Sequence, residues 1–137
     1  MLIKTRVQPS GIHGLGLFAV EAVAKGMAVW RFEAGFDREF SPAQFAALPI
    51  AAQSHLCWFA FVDASSGNRV LSGDHGCFMN HSATPNTGAS PDTTHPVTTV
   101  ALRDLAAGEE LTCDYFAFDA AAAGKLPAWP PGERGRG

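Results

Sequence analysis

Short β-type segments separated by glycine or proline turns constrain the fold of this 137-residue chain most strongly. β-branched and aromatic residues predict strands over Leu2 to Val7, Met27 to Phe32, Val97 to Leu102 and Glu110 to Asp114. Helix signals are few, and the clearest is Ser41-Pro42, an N-cap residue followed by proline at the first helical position. We therefore expect a mainly β fold with short helices.

Three further segments carry predictions about the fold. The stretch Cys57 to Val62 is aromatic and β-branched, which predicts a strand after a helix that Pro49 ends. A turn over Asp63 to Asn68 leads into a strand over Arg69 to Leu71. The segment from Thr87 to Pro96 is rich in Gly, Ser, Pro and Thr, which predicts a loop.

Composition excludes several classes of protein. A chain of this length suggests one domain, and its hydrophobic fraction of 47% argues against disorder. The net charge is only -3, and direct nucleic-acid binding is not expected. The three cysteines include no C-x-x-C pair, which argues against structural zinc and favours free thiols in a reducing compartment. The sequence shows neither a signal peptide nor an apolar run of about 18 residues, so we expect a cytoplasmic protein without a membrane span.

The stretch from Phe78 to Asn86 (FMNHSATPN) is the first candidate site. It places Asn80, His81 and Ser82 directly behind an apolar pair and ends at a Pro-Asn turn signal. These polar residues are poor strand formers, so either a tight loop uses their side chains to satisfy backbone groups or they form a site. No H-x-H or E-x-x-H pattern supports a metal at His81, and none is expected.

A glycine motif, GLGLFA, lies upstream at residues 14–19. It fits the G-x-G-x-x-A dinucleotide fingerprint, and Glu33 stands near the spacing expected of a ribose-binding acid. The helix that should follow would end before Gly26, and no second βαβ unit is visible. Three interpretations stay open: a dinucleotide site, a tight turn, or close backbone approach to another adenosine-bearing ligand.

The segment GEELTCDY at 108–115 is the third candidate. Tyr115 is the single tyrosine of a chain with ten phenylalanines. A lone phenol at a strand end indicates that the hydroxyl is needed, either in a site or for one hydrogen bond of a buried side chain.

Taken together, the three motifs resemble the SET-domain family of S-adenosylmethionine-dependent protein-lysine methyltransferases. HGLGLFA at 13–19 is similar to the family's glycine motif, GDHGCFMNHSATPN at 73–86 to G-N-x-x-R-F-x-N-H-S-C-x-P-N, and GEELTCDY to G-E-E-L-T-x-D-Y. The resemblance covers almost the whole chain. It implies a β-clip-like fold of several small curved sheets, in which the segments carrying Asn80-His81 and Tyr115 form a knot-like C-terminal crossing.

The resemblance also implies a domain organisation. One SET domain would span residues 1–119, with an N-terminal part at 1–36, an insert at 37–71 and a C-terminal part at 72–119. Residues 120–137 would form a closing segment and a flexible tail. In this family the insert forms much of the substrate groove, and its small size here suggests a peptide or exposed tail as substrate.

A site for S-adenosyl-L-methionine is implied by the same motifs. Tyr115 would be catalytic and would lie where donor and target lysine meet. The residues implied to bind the donor are His13, Gly14, Leu15, Gly16, Asn80, His81, Tyr115 and Trp129. For Trp129 the role would be to cover the adenine, and the alternative is a simple hydrophobic plug. The partner would be a protein or peptide lysine substrate, basic in character.

This sequence departs from the family pattern at three positions. Asp74 stands where the family has Asn, Cys77 where it has Arg, and Ala83 where it has Cys. The zinc-binding cysteine cluster that follows the Tyr motif in many members is absent from this sequence. The alternative to an enzyme is therefore a non-catalytic SET-like module that binds S-adenosylmethionine or a protein partner.

Overall fold

The computed structural model describes residues 1–92 and 98–126. In chain order the elements are β1 (Thr5–Pro9), β2 (Leu15–Ala19), β3 (Ala28–Arg31), β4 (Arg38–Phe40), α1 (Pro42–Ala46), α2 (Ile50–Phe59), β5 (Phe61–Val62), β6 (Arg69–Leu71), β7 (Asn80–His81), β8 (Thr87–Ala89), β9 (Thr98–Ala101), β10 (Glu110–Cys113) and α3 (Ala122–Lys125), with 3-10 helices at His75–Phe78 and Tyr115–Ala117. The mainly β fold class is confirmed.

The strands form three small sheets in the part of the chain that the structure describes. Their strand orders are β1-β2-β10-β7, β3-β9-β8 and β4-β6-β5. All pairings are antiparallel except that of β7 with β10, which runs parallel. The core lies against the first sheet, where Leu17 and Leu111 are fully buried and face Val29 and Met79 in one apolar cluster. The N-terminal strand predicted over Leu2 to Val7 is present but shifted: β1 begins at Thr5 and continues through Pro9, which is tolerated because β1 is a sheet edge.

The segment after β7 is fastened to β10 by buried polar groups. The Asn86 amide nitrogen Nδ2 donates to the Glu110 carbonyl over 2.7 Å, and the Thr112 N–H donates to Asn86 Oδ1 over 2.8 Å. The Thr87 hydroxyl donates to the Thr112 carbonyl over 2.7 Å. These bonds satisfy backbone groups that the short β7 leaves unpaired, and they hold the Asn-His segment beside the strand that leads to Tyr115.

The predicted strand over Cys57 to Val62 is wrong for most of its length. Helix α2 continues through Phe59 and ends where the Ala60 N–H donates to the Leu56 carbonyl, so only Phe61 and Val62 are in a strand. The aromatic residues suggested a half-buried strand, but Trp58 is 65% exposed and lies on the surface of the last helical turn. Helical hydrogen bonding that began before the aromatic run therefore outweighed strand propensity.

The predicted loop from Thr87 to Pro96 is also wrong in part, because its first three residues form β8. Thr87 is completely buried and pairs with Ala101 of β9, so tertiary contacts override the turn-rich composition. The end of the segment, residues 93–96, lies outside the described residues, as do residue 97 and the predicted donor residue Trp129. No helix in the described ranges is long and apolar enough to cross a membrane.

Residues 37–71, the insert predicted from the sequence, contain the sheet β4-β6-β5 and helices α1 and α2. The predicted helix start is confirmed: Ser41 caps α1, accepting from the Gln44 N–H while the Gln44 side chain accepts from the Ser41 N–H. The turn before β6 is confirmed as well, and there the Asp63 carboxylate accepts from the hydroxyls of Ser65 and Ser66. Strand β5 of this insert reaches the cavity described next.

Candidate functional site

A cavity of about 1000 Å³ lies between the insert and the first sheet. The loop before β2, the segment from Gly76 to His81, strand β5 and residues 113–119 all contribute to its wall. Most of the predicted donor-binding residues line it together, namely His13, Gly14, Leu15, Asn80, His81 and Tyr115. His13 and Tyr115, which are 102 positions apart in the sequence, thus lie at one cavity.

The loop from Ser10 to Leu15 is held by the carboxylate of Glu110. The Ser10 hydroxyl donates to this carboxylate, with Oγ 2.8 and 2.9 Å from its two oxygens. The same Oγ accepts the Ile12 N–H over 2.9 Å, as an ST-turn does. The carboxylate at the start of β10 thereby orients backbone that lines the cavity.

Asn80 connects this loop to the strand that leads to Tyr115. Its Nδ2 lies 3.1 Å from the carbonyl oxygens of His13 and Leu15 and 2.9 Å from Glu110 Oε1. Asn80 is buried, so these acceptors replace water around the amide. The amide nitrogen therefore holds the loop, and its contribution to a ligand site is to fix the positions of the loop's carbonyl groups.

Gly16 has a packing role that its place in the motif did not indicate. A Cβ built on Gly16 would overlap the Glu110 carboxylate, so only glycine allows this close approach. Gly16 does not line the cavity, whereas Gly14 does, with a φ of +47° and open space around its Cα. Residues 15–19 form β2 and not a helix, so the dinucleotide interpretation lacks the helix N-terminus that would bind a pyrophosphate.

The imidazole of His81 is oriented by the backbone of Tyr115. The Tyr115 N–H donates to His81 Nδ1 over 3.1 Å, which places the proton of a neutral ring on Nε2. Asp114 Oδ1 lies 3.6 Å from the same nitrogen but accepts the Phe116 N–H over 3.0 Å, so we take the backbone bond as the one that orients the ring. This arrangement favours a binding role for His81 over a role as a base.

Tyr115 lines the cavity and its hydroxyl is fixed by the backbone of Met79. The hydroxyl donates to the Met79 carbonyl over 2.7 Å. Burial raises the pKa of the phenol, and the negative charge of Asp119 raises it further. The phenol therefore stays neutral at ordinary pH, with its proton held by Met79 and its oxygen lone pairs available to another group.

The cavity wall on the side of the insert, called the aromatic wall, is formed by the rings of Trp30, Phe61, Tyr115 and Phe118. Phe118 packs edge-on to Tyr115, with ring centroids 6.2 Å apart, and to Phe61 at 5.1 Å. Phe61 in turn contacts the Trp30 ring at 6.4 Å, also in an edge-to-face geometry. The four side chains line the cavity, and together they offer an apolar surface with electron-rich faces that suits an alkyl amine.

The sequence matches the SET domain family model over residues 14–116. The chain belongs to the SET-domain family. Comparison with curated proteins gives no match.

Solved structures similar to this SET domain share its fold at low sequence identity. A Plasmodium falciparum protein described as a candidate histone methyltransferase is 18% identical, with a TM-score of 0.58 over 84% of this chain and 95% of its own. The Chaetomium thermophilum Polycomb Repressive Complex 2 in an autoinhibited conformation, bound to S-adenosylmethionine, is 17% identical, with a TM-score of 0.64. The matched region there is 92% of this chain but 17% of that one. The same complex bound to GSK126 is 20% identical, with a TM-score of 0.65 and the same coverage of both chains.

The departures from the family motif have defined surroundings in this SET domain. Asp74 caps the 3-10 helix by accepting the Gly76 N–H, and it pairs with the terminal ammonium of Met1. Partial burial works to raise the pKa of Asp74, but these hydrogen bonds hold it below its ordinary value. Cys77 lines the cavity, and burial raises the pKa of its thiol. Ala83 is exposed.

Several residues around the cavity were not singled out from the sequence. Trp30 and Phe118 belong to the aromatic wall, and Ser10 and Glu110 hold the loop before β2. The one sequence signal for Glu110 was its place in the GEEL motif, whereas Ser10 precedes the region that the family model matches. The aromatic residues are common types in a chain with ten phenylalanines, so their position in the sequence carried little information.

Proposed function

We propose that this SET domain is a methyltransferase that transfers a methyl group from S-adenosylmethionine to the amine of a protein lysine side chain. The observation that carries the proposal is that the loop before β2 and the aromatic wall line the same cavity, together with Tyr115. Family membership and the shared fold support a methyltransferase in general terms. We infer the lysine substrate from the part of the cavity beside the aromatic wall, which is apolar and which we call the lysine channel.

The residues around the cavity fit S-adenosylmethionine. The cavity volume of about 1000 Å³ is at the upper end of the range for small-molecule pockets, which leaves room for a donor and a lysine side chain. The carbonyl groups of His13 and Leu15, oriented by Asn80, and the ring of His81 would hold the polar parts of the donor. Open space at Gly14 would let the ligand approach the backbone. The proposed contact of Trp129 with the adenine stays a prediction.

When bound, S-adenosylmethionine supplies an electrophilic methyl group on a sulfonium. The protein's part is to deliver a neutral amine in line with it. A free lysine has a pKa of about 10.4, and an apolar channel lowers that value because it disfavours the ammonium. The aromatic wall would strip water from the amine, and the Tyr115 oxygen, whose own proton is directed at Met79, would orient it. No strong general base is required.

The substrate we propose is an exposed, basic peptide segment. Asp63 and Asp114 line the cavity and would attract a cationic side chain before it loses its proton. The compartment in which the protein meets this substrate is proposed to be the cytoplasm, from the sequence alone.

A non-catalytic module remains the second candidate, favoured by one specific observation. Cys77, which stands where the family has Arg, lines the cavity as a half-buried thiol and supplies neither positive charge nor strong hydrogen-bond donors. Such a site could bind the donor without aligning it for transfer.

Titration calorimetry with S-adenosylmethionine and its demethylated product S-adenosylhomocysteine tests the proposal. We expect both to bind, in competition with each other and at one site per chain. A matched pair of variants locates the site: His81→Ala should weaken binding, whereas His55→Ala, on the exposed surface of α2, should not. Absence of binding to either compound would refute donor use and with it the proposed reaction.

A further inference from the structure

The last described segment of the chain is fastened to the insert at the cavity wall. The Ala120 N–H donates to the Val62 carbonyl, and the Val62 N–H donates to Asp119 Oδ1, each over 2.9 Å. Asp63 and Asp119 also form an isolated antiparallel bridge. The edge of β5 that β6 leaves free is thus covered by residues 119–120 of the same chain.

A buried ion pair secures this contact. Lys125 Nζ lies 2.8 Å from Asp119 Oδ2, and the two side chains are 11% and 2% exposed. The same ammonium donates to the Ala60 carbonyl, at the C-terminal end of α2. One charged group therefore joins α3, the segment after Phe118 and the start of β5.

The ion pair adjoins the aromatic wall. Phe118 immediately precedes Asp119, and Phe61 lies between the two backbone groups that Lys125 and Asp119 hold. The edge-to-face contact of Phe61 with Phe118, at 5.1 Å, joins the same two segments. Lys125 and Asp119 line the cavity themselves, and Lys125 also borders a second groove of about 550 Å³ beyond the wall.

From this geometry we infer that Asp119 and Lys125 are positioning residues for the lysine channel. They act through Phe61 and Phe118 and have no part in the chemical step. The inference rests on the proposed function only in naming the channel's ligand; the contact between residues 119–125 and 60–63 stands without it.

Removing the pair should loosen one wall of the cavity and leave the donor half intact. Lys125→Met leaves the buried Asp119 carboxylate without its charged partner. The double variant Asp119→Asn/Lys125→Met is therefore compared with it. In the double variant the Asn Oδ1 can still accept the N–H groups of Val62 and Ala121, and no unpaired charge is left. Lys4→Met is the matched control, because it removes an exposed ion pair with Glu21 that does not line the cavity.

The first readout is hydrogen–deuterium exchange, which requires no activity. We expect exchange at Val62 and Ala120 to become at least about tenfold faster in both channel variants, with β2 and β10 unchanged. Exchange equal to that of the wild type at these two amides would overturn the inference, whether or not the protein transfers methyl groups.

The second readout separates binding of the two ligands. For the double variant we expect KM for a lysine-containing protein to rise about tenfold, with the dissociation constant for S-adenosylmethionine within about twofold of wild type. Equal loss of affinity for both ligands would indicate a merely structural role, and higher turnover would indicate that the segment blocks the channel; either outcome rejects the inference. If the wild type shows no transfer, the proposed function fails, and the exchange measurement still decides on the contact.

Discussion

The two halves of the cavity are held together by different kinds of contact. In the half that we propose binds the donor, called the donor half and formed by residues 10–16, β7 and β10, directional hydrogen bonds converge on the side chains of Asn80 and Glu110. In the insert half, formed by residues 58–63 and 118–126, aromatic rings pack edge to face over one buried ion pair. A directional contact requires a particular residue type at each end, whereas apolar packing tolerates many residue types. The donor half can therefore be recognised as a sequence motif, and the insert half cannot.

Tyr115 lies between the halves, and its hydroxyl is the group whose loss we expect to be most costly. Tyr115→Phe should reduce kcat by about 100-fold or more, because an oriented oxygen at the reacting atoms is lost. Donor affinity should change by less than about threefold, since the ring and its packing remain. Steady-state kinetics together with calorimetry measure the two effects, and a variant that keeps full turnover would remove Tyr115 from the mechanism.

Asn86 tests how strongly the donor half depends on directional contacts. Asn86→Ala should lower the free energy of unfolding by about 3 kcal/mol, because the buried Thr112 N–H and Glu110 carbonyl each lose a partner. Chemical denaturation measures the change. The control is Asn68→Ala, which removes an exposed bond to Glu39 and should cost less than about 0.5 kcal/mol. Equal costs at the two sites would contradict the comparison.

The glycine motif separates a packing role from a conformational one. Gly16→Ala should destabilise the protein by about 2 kcal/mol and weaken donor binding, because the added methyl group displaces the Glu110 carboxylate that holds the loop. Gly14→Ala meets open space and should cost only about 1 kcal/mol, from its φ of +47°. Thermal unfolding of both variants shows which substitution destabilises the protein more. A larger loss of stability for Gly14→Ala would show that the Glu110 contact is unimportant.

Cys113, at the end of β10, should make the protein sensitive to alkali. Burial raises the pKa of its thiol from 9.0 to about 12, so above pH 9 the unfolded chain loses this proton and the folded chain keeps it. Stability should therefore fall between pH 9 and 12, by up to about 1.4 kcal/mol per pH unit from this group. Cys113→Ala should reduce that slope, and Cys57→Ala, at an exposed thiol, should leave it unchanged. A slope unaffected by Cys113→Ala would contradict the assignment.

The insert half should tolerate substitution better. Phe61→Leu keeps an apolar side chain in the wall and should cost only about 1 kcal/mol of stability, since packing adjusts where no directional bond is broken. Denaturant unfolding measures it. A loss as large as that at Asn86 would show that the two halves do not differ in the way proposed.

The same difference explains what could be predicted from the sequence. The mainly β class followed from β-branched and aromatic segments separated by turns. The family and the group of residues around Asn80 and Tyr115 followed from motifs whose residue types are dictated by hydrogen bonding. The strand predicted over Cys57 to Val62 failed because aromatic residues fit a helix end as well as a strand, and only tertiary context decides between them. Ser10 and Lys125 could not be identified, since the Glu110 carboxylate that Ser10 contacts and the Ala60 carbonyl that Lys125 contacts lie 100 and 65 residues away in the sequence.

Transfer of a labelled methyl group tests the central claim most directly. The protein is incubated with S-adenosylmethionine carrying a labelled methyl group and with a cell extract, and labelled peptides are identified by mass spectrometry. We predict label on the side-chain amine of lysine in at least one extract protein, abolished by Tyr115→Phe. Donor binding without label on any protein would contradict the claim and would identify this SET domain as a binding module.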